Sequence, residues 1–344
     1  MDERAFSAGQ AFLLSAKLFW THKLFGAVKD EVRTASPQPK TLADVAKVLS
    51  PSTTYAYFEW FERHLQKMKY SGRYGLVPHA DGLRRDLLAR LDVNSPLVQV
   101  DPALPMPDYY TSVDVHQHPG GVWSDELAGF VYEEGARSTT PAMGVKHADL
   151  HQRFTDLIVS EGKPKRILDM GCGFGKSTRP FYRDLPEAEV TAVDLAAPCL
   201  NVAGVQASQD QARNVRFLQK NAYETGLPAG SFDLVTSTML LHEMPPEKIE
   251  ATMAEAARVL APGGRMVHLD FHMLPDAFAR FIHYGHAVRN NEVYMEPWAE
   301  MDIAALLRKQ GFTDVTIAPF AEADNVPPDA WRFPWTVISA TKAA

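Results

Sequence analysis

Only two of the 344 residues are cysteine, Cys172 and Cys199, which excludes a disulfide-stapled fold of the secreted kind. Long apolar runs are missing too. The most apolar N-terminal stretch, residues 11–28, is interrupted by Lys17, His22 and Lys23, so it reads as an amphipathic core helix and not as a membrane span. Basic charge is in deficit: 35 Lys and Arg stand against 42 Asp and Glu, giving a net charge of −7. An acidic chain offers no electrostatic footprint for nucleic acid. The opening residues, MDERAFSAGQ, lack the basic-then-apolar order of a signal peptide, and a cytoplasmic address is expected. Two phosphate-binding patterns, G-x-x-x-x-G-K-[ST] and G-x-G-x-x-G, are also absent, although Lys176-Ser177 comes near the first.

What the chain does contain is a strand, a glycine turn, a helix and a second strand in residues 166–194, RILDMGCGFGKSTRPFYRDLPEAEVTAVD. Ile167, Leu168 and Met170 form a buried-strand run. Gly171, Gly173 and Gly175 follow at once, where a backbone turns tightly and a ligand approaches without Cβ atoms in the way. Asp194 closes the apolar run 190–193 and sets a carboxylate at the carboxyl edge of the next strand, in reach of two ribose hydroxyls. Downstream, residues 215–218 read as a third strand ending at Asn221-Ala222, and SFDLVTS (231–237) as a fourth. A helix over 247–260 then stops at Ala261-Pro262-Gly263-Gly264, before a strand over 266–271.

In order and spacing this glycine turn, acid, "FDLV" strand and "LAPGG" turn resemble the class I S-adenosylmethionine-dependent methyltransferases, over residues 166–271. The resemblance implies S-adenosylmethionine as cofactor. Asp169, Gly171, Cys172 and Gly173 would line its methionine half, Asp194 with Leu195 its ribose, and Asn221 with Ala222 its adenine. Strands over 312–319 and 335–341 would complete a seven-stranded sheet.

Length suggests about two domains. Helical spacing over 13–32, a Thr41 cap before 42–49, and YAYFEWFERHLQKM (55–68) give three helices. The β-prone runs of residues 69–77, on either side of Ser71-Gly72, read as a hairpin. Helices followed by such a wing resemble the winged-helix domain that precedes the catalytic one in plant-type and hydroxyindole-type O-methyltransferases. That resemblance implies a homodimer formed through residues 1–100. The expected organisation is α/β: a Rossmann-like seven-stranded methyltransferase sheet over 151–344, preceded by a mainly α-helical, winged-helix-like domain (1–100) and a connector (101–150) that contributes to the substrate site. A wing also raises a ligand-sensing DNA-binding regulator, with Arg63, Lys67, Lys69 and Arg73 as its basic tip; Glu59, Glu62 and the acidic chain argue against it.

The segment 101–151 is dense in groups that serve sites: His116, His118, His147 and His151, three tyrosines and Trp123. Alternating His116 and His118 have the spacing of two ligands on one strand face, and His147 and His151 sit one helical turn apart. Hydrogen-bonded or solvated histidines are the commoner meaning of such spacing, and no metal is expected. His118, His116, Trp123 and Tyr132 are assigned to a substrate pocket, together with Tyr284, Arg289 and Asn291 from the polar stretch 283–298, where Arg289 suits a carboxylate.

His242, in LLHEMPPE, stands where the plant-type O-methyltransferases have a catalytic base, and no partner for it is evident. A base is needed only when the acceptor has a proton to lose. In layout the chain also resembles the bacterial S-methyltransferases that methylate 4-methylthio-2-hydroxybutyrate in dimethylsulfoniopropionate synthesis. S-methylation of that thioether acid is the leading expectation, O-methylation of a hydroxylated small molecule with His242 as base is the alternative, and cyclisation of S-adenosylmethionine is a third. The partner in each case is a small molecule, with no membrane or nucleic acid.

Overall fold

The computed structural model describes residues 2–91, 95–136, 147–321, 323–324 and 333–343, with the backbone alone at 147–149. Its strands are β1 (Val98–Gln99), β2 (Arg166–Met170), β3 (Glu189–Asp194), β4 (Val215–Gln219), β5 (Phe232–Thr238), β6 (Leu260–Phe271), β7 (Phe312–Phe320) and β8 (Trp335–Lys342). They form one sheet in the order β1-β4-β3-β2-β5-β6-β8-β7. β1 to β6 pair in parallel, while β8 runs antiparallel to both β6 and β7. β2 and β3 are buried along almost their whole length, as strands covered on both faces must be, and this is why they read as apolar runs.

The two faces carry separate cores. On one, α9 (His147–Ser160), α10 (Thr178–Asp184) and α11 (Ala197–Gln209) contribute Phe154, Phe181 and Leu200 against Ile167, Phe217 and Leu234. On the other, α12 (Pro246–Val259), α14 (Met295–Ala299) and α15 (Ile303–Lys309) contribute Met253, Trp298 and Leu307 against Leu168, Val235 and Ile338. Chain order reverses at β2, flanked by β3 and β5. The carboxyl ends of β2 and β5 therefore splay their loops apart and open a crevice.

Helices cover that crevice. α1 (Glu3–Phe19) runs through a π-helical turn at Trp20–Leu24 into α2 (Phe25–Thr34), followed by α3 (Leu42–Leu49), α4 (Thr53–Ser71), α5 (Leu76–Gly82) and α6 (Arg84–Leu88). Thr41 caps α3 in a capping box with Asp44. In the connector, α7 (Asp108–Thr111) and α8 (Ala128–Ala136) lead to the sheet half. α13 (Ala277–Asn290), which follows β6, packs Phe278 and Ile282 into the core of the N-terminal helices with Leu13, Trp20 and Phe58. The N-terminal block and the sheet half thus share an apolar core across the crevice.

Three expectations are corrected. The sheet has eight strands: two residues from before the connector, Val98 and Gln99, add an edge beside Phe217 and Leu218. The wing is not there. α4 continues to Ser71 because Lys69 and Tyr70 are buried on its inner side; the chain then turns, and α5 begins after Gly75, where a Cβ would meet the Tyr70 carbonyl oxygen at 2.5 Å. With no strand among residues 2–91 as described, the winged-helix form and the basic tip of the regulator reading lose their frame. Finally, His116 and His118 lie on no strand. Residues 115–117 make one 3-10 turn in which His116 and Gln117 are both left-handed, each with φ of 56°.

Candidate active site

Gly171, Gly173 and Gly175 all take positive φ (69°, 51° and 83°). A Cβ on Gly171 would strike Leu240 at 2.6 Å, whereas one on Gly173 would meet only Tyr132, at 3.6 Å. Gly173 is thus glycine for its left-handed backbone, on the open side of the turn. Its amide donates to one oxygen of Asp194 at 2.8 Å, and the Ala196 amide donates to the other at 2.8 Å. Burial pushes the Asp194 carboxyl up, against the pull of these amides. A single cavity is lined by Gly171, Cys172 and Gly173, by Asp194 and Leu195, and by Asn221 and Ala222. Asn221 also accepts from the Tyr223 amide at 3.2 Å.

Asp169 departs from its expected place. It is fully buried beneath the turn, where Ser177 and Thr178 hydroxyls donate to it at 2.9 and 2.6 Å. Burial raises its carboxyl to about 6. It braces the glycine turn and is not a cavity wall.

Across the cavity, His242 stands on a 3-10 turn after β5, and the structure supplies the partner that was missing. Nδ1 of His242 lies 2.5 Å from Oδ1 of Asp270. Asp270 is held in turn by the amides of Leu241 (2.8 Å) and Phe271 (2.7 Å). Nε2 of His242 faces Glu243 at 3.5 Å. Burial works against a charge on His242, but the Asp270 and Glu243 carboxylates outweigh it and hold the imidazole well above its ordinary value. Phe271 lies 5.2 Å from the His242 ring and stacks on Trp335 at 4.5 Å, giving that side of the cavity an aromatic wall.

Of the residues assigned to a substrate pocket, His116, Trp123 and Tyr132 line the cavity. His116 is clasped on both ring nitrogens, by Glu243 and by Glu292 at 2.9 Å each. Burial opposes its charge; the two carboxylates prevail and raise it to about 10. The other four are engaged elsewhere. His118 is buried against Tyr70, ring centroids 4.8 Å apart, and burial lowers it to about 4. Tyr284 bonds Glu300. Asn291 ends α13 in a left-handed conformation and donates to the Asp114 carbonyl at 3.1 Å. Arg289 is committed to Glu62 (2.5 Å) and Glu59 (2.8 Å) of α4. A guanidinium already paired in this way is not a carboxylate anchor for an acceptor.

Asp270, Glu243 and Glu292 are site groups that the sequence did not single out. Asp270 closes an apolar strand just as Asp194 does and was open to the same inference; Glu292 gives no local signal, because its partners come from the connector and α13. Among the described residues no group of three or more His, Cys, Asp or Glu is arranged to hold a metal. His147 lies where the structure describes no side chain.

Residues 167–264 match the family described as a methyltransferase domain. A demethylmenaquinone methyltransferase of Thermus thermophilus is 39% identical over 126 residues, which are 36% of this chain and 56% of that protein. A ubiquinone/menaquinone biosynthesis C-methyltransferase UbiE of Methylobacterium nodulans is 32% identical over 147 residues, 41% of this chain and 58% of that protein. The chain thus spans somewhat more than half the length of these two relatives. Among solved structures, phosphoethanolamine N-methyltransferase 2 of Haemonchus contortus, in complex with phosphomonomethylethanolamine and S-adenosylhomocysteine, is 16% identical with a TM-score of 0.49, covering 71% of this chain and 62% of that one. The matched segment contains the glycine turn, Asp194 and His242, and with them the chain carries a class I S-adenosylmethionine-dependent methyltransferase domain.

Proposed function

We propose that the protein methylates a small molecule bearing an acidic hydroxyl, a phenol being the best fit, with His242 as general base and Asp270 as the group that orients it. The 2.5 Å contact between His242 and Asp270, in the cavity that also holds the glycine turn, carries this reading. The residues present fit the cofactor. Gly173 leaves its side of the turn open, Asp194 presents a carboxylate fixed by two amides, and Asn221 with Ala222 lines the same cavity.

When bound, S-adenosylmethionine supplies a methyl carbon on a sulfonium, whose carbon–sulfur bond breaks with the electron pair staying on sulfur. The chain supplies alignment and exclusion of water. As the acceptor oxygen gains its bond to carbon, the hydroxyl proton passes to Nε2 of His242. Asp270, on Nδ1, stabilises the imidazolium that results. Phe271 and Trp335 flank the reacting centre with ring faces suited to an aromatic acceptor and to a passing cation.

This reading displaces the thioether hydroxy acid. That acceptor needs no base and does need a partner for its carboxylate, and the arginine assigned to it is paired with Glu62 and Glu59. The same dyad would serve C-methylation, the activity in the name of the Methylobacterium relative, since a phenolate activates its own ring carbons. Product NMR separates an O-methyl from a ring methyl. With a labelled methyl donor and a phenolic acceptor, His242→Ala is expected to lose about 10²–10⁴-fold in rate. Methylation of 4-methylthio-2-hydroxybutyrate that is undiminished in His242→Ala, with no phenol turned over, would overturn the proposal. We also propose a homodimer formed through the outer faces of α1 and α4, where Phe12, Phe19, Tyr57 and Trp60 are exposed.

A further inference from the structure

His116 sits in a place where a chain does not put a histidine without cause. It and Gln117 are successive non-glycine residues in the left-handed region, a conformation that persists only where surrounding contacts over-determine it. Those contacts are on three sides. Gln66 of α4 donates to the His116 carbonyl at 3.0 Å, the Gln117 amide group donates to the Arg289 carbonyl of α13 at 2.5 Å, and the Gly120 amide donates to Asp114 at 3.0 Å. The turn is thereby pinned between α4 and α13, and its imidazole is delivered to the cavity wall between two carboxylates, Glu243 and Glu292.

Glu243 is the neighbour of the base in sequence and in space. It lies 2.9 Å from His116 and 3.5 Å from Nε2 of His242, so it is drawn towards the first histidine and away from the second. Were His116 absent, the half-buried Glu243 carboxylate would turn to the next imidazole, His242, and close on the nitrogen that must receive the acceptor's proton. We propose that His116 is a positioning residue for the methyl transfer: clasped by Glu292, it draws Glu243 to itself and keeps that carboxylate from closing further on the Nε2 of His242. This inference rests on the reading of His242 as base.

The other titratable groups facing these two histidines do not offset the effect. Asp270 holds Nδ1 of His242 in every state considered. His283 on α13 and His118 beside Lys69 are both driven down by burial, to about 3 and about 4, and stay neutral. His286 shares Glu292 at 3.0 Å and bonds Glu62 at 2.6 Å, which keeps Glu292 in place to clasp His116.

The test uses His116→Asn, because asparagine tolerates the left-handed backbone yet is too short to span both carboxylates. Methyl transfer to a phenolic acceptor is followed against pH, and the His242 ring is titrated by NMR in the full chain with S-adenosylhomocysteine present. His116→Asn is expected to raise the His242 titration by at least about one pH unit, move the rising limb of the rate profile to higher pH, and lower kcat by about 10²-fold with the KM for S-adenosylmethionine unchanged. Glu243→Gln should move both midpoints down, and the double variant should recover most of the rate, since the group that closes on His242 is then uncharged. Should His116→Asn unfold, Glu292→Gln loosens the clasp from the other side and should shift the midpoints in the same direction by less. Identical His242 titrations in wild type and all the folded variants would overturn the proposal. If His242→Ala keeps its wild-type rate while these midpoints still move, the base reading falls and the hold of His116 on Glu243 stands.

Discussion

The Asp194 carboxylate accepts from the Gly173 and Ala196 amides and also faces the cavity, so one side chain shapes the glycine turn and, on the proposed reading, meets the cofactor. Asp194→Asn separates these duties. The amide keeps the size and one acceptor, but it forfeits the charge that strengthens bonds to ribose hydroxyls. Binding of S-adenosylmethionine should weaken by about 1.5–3 kcal/mol; calorimetry giving an unchanged affinity would remove Asp194 from the cofactor site. His116 makes a separate statement about stability. Its folded value, about 10, lies above the unfolded 6.5, so its contribution is complete below about pH 6.5 and is lost as pH rises through about 10. Thermal unfolding of the wild type should therefore fall in Tm across that window, and His116→Asn should flatten the fall. How much of the site was legible follows the same division. Asp194, the glycine turn and His242 announce themselves locally, by closing a strand, breaking it or following it. Arg289 and Tyr284 lie in a polar helix stretch that looks ligand-facing from sequence, but Arg289 is paired with Glu62 and Glu59 far earlier in the chain and Tyr284 with Glu300 just after the helix.

At the scale of elements, the buried parallel strands were plain in the sequence, since a strand covered on both faces must be a short apolar run. β1 was not, because two residues carry no period, and their pairing is decided by Phe217 and Leu218 on β4. The supposed wing failed for the opposite reason. Tyr70 and Tyr74 have β propensity, yet the burial of Lys69 and Tyr70 keeps α4 helical through that point, tertiary packing overriding local preference. The clamp between α13 and α4 gives this level its prediction. Arg289 and Glu62 are almost wholly buried side chains, 9% and 1% exposed. Removing the guanidinium leaves the buried Glu62 carboxylate to His286 without its strongest partner, which costs up to about 3–5 kcal/mol. Arg289→Ala should show that loss in urea unfolding. If stability is unchanged while the KM for an acidic acceptor rises, Arg289 is a substrate anchor after all.

At the scale of the whole molecule, α1 and α4 present two unlike faces. Leu13, Ala16, Phe58 and Leu65 turn inward to the core shared with α13, while Phe12, Phe19, Tyr57 and Trp60 remain 47–60% exposed on the outside. Aromatic groups clustered on two adjacent helices are more than a chain leaves in water without use. None of the four lines the cavity, so the face is free to meet a second copy without touching the chemistry, and a two-fold contact would pair it with itself. The full chain should run in light scattering at twice its 38.2 kDa mass at micromolar concentration. Replacing Phe12 and Trp60 together by glutamate places like charges across the symmetric contact and should give a monomer. The glycine turn, Asp194, the His242–Asp270 dyad and the His116 clasp are all supplied by one chain, so that monomer should still bind S-adenosylmethionine with wild-type affinity. A wild-type chain that stays monomeric at tens of micromolar would refute the dimer, and a monomeric variant that no longer binds the cofactor would show that the site needs its neighbour.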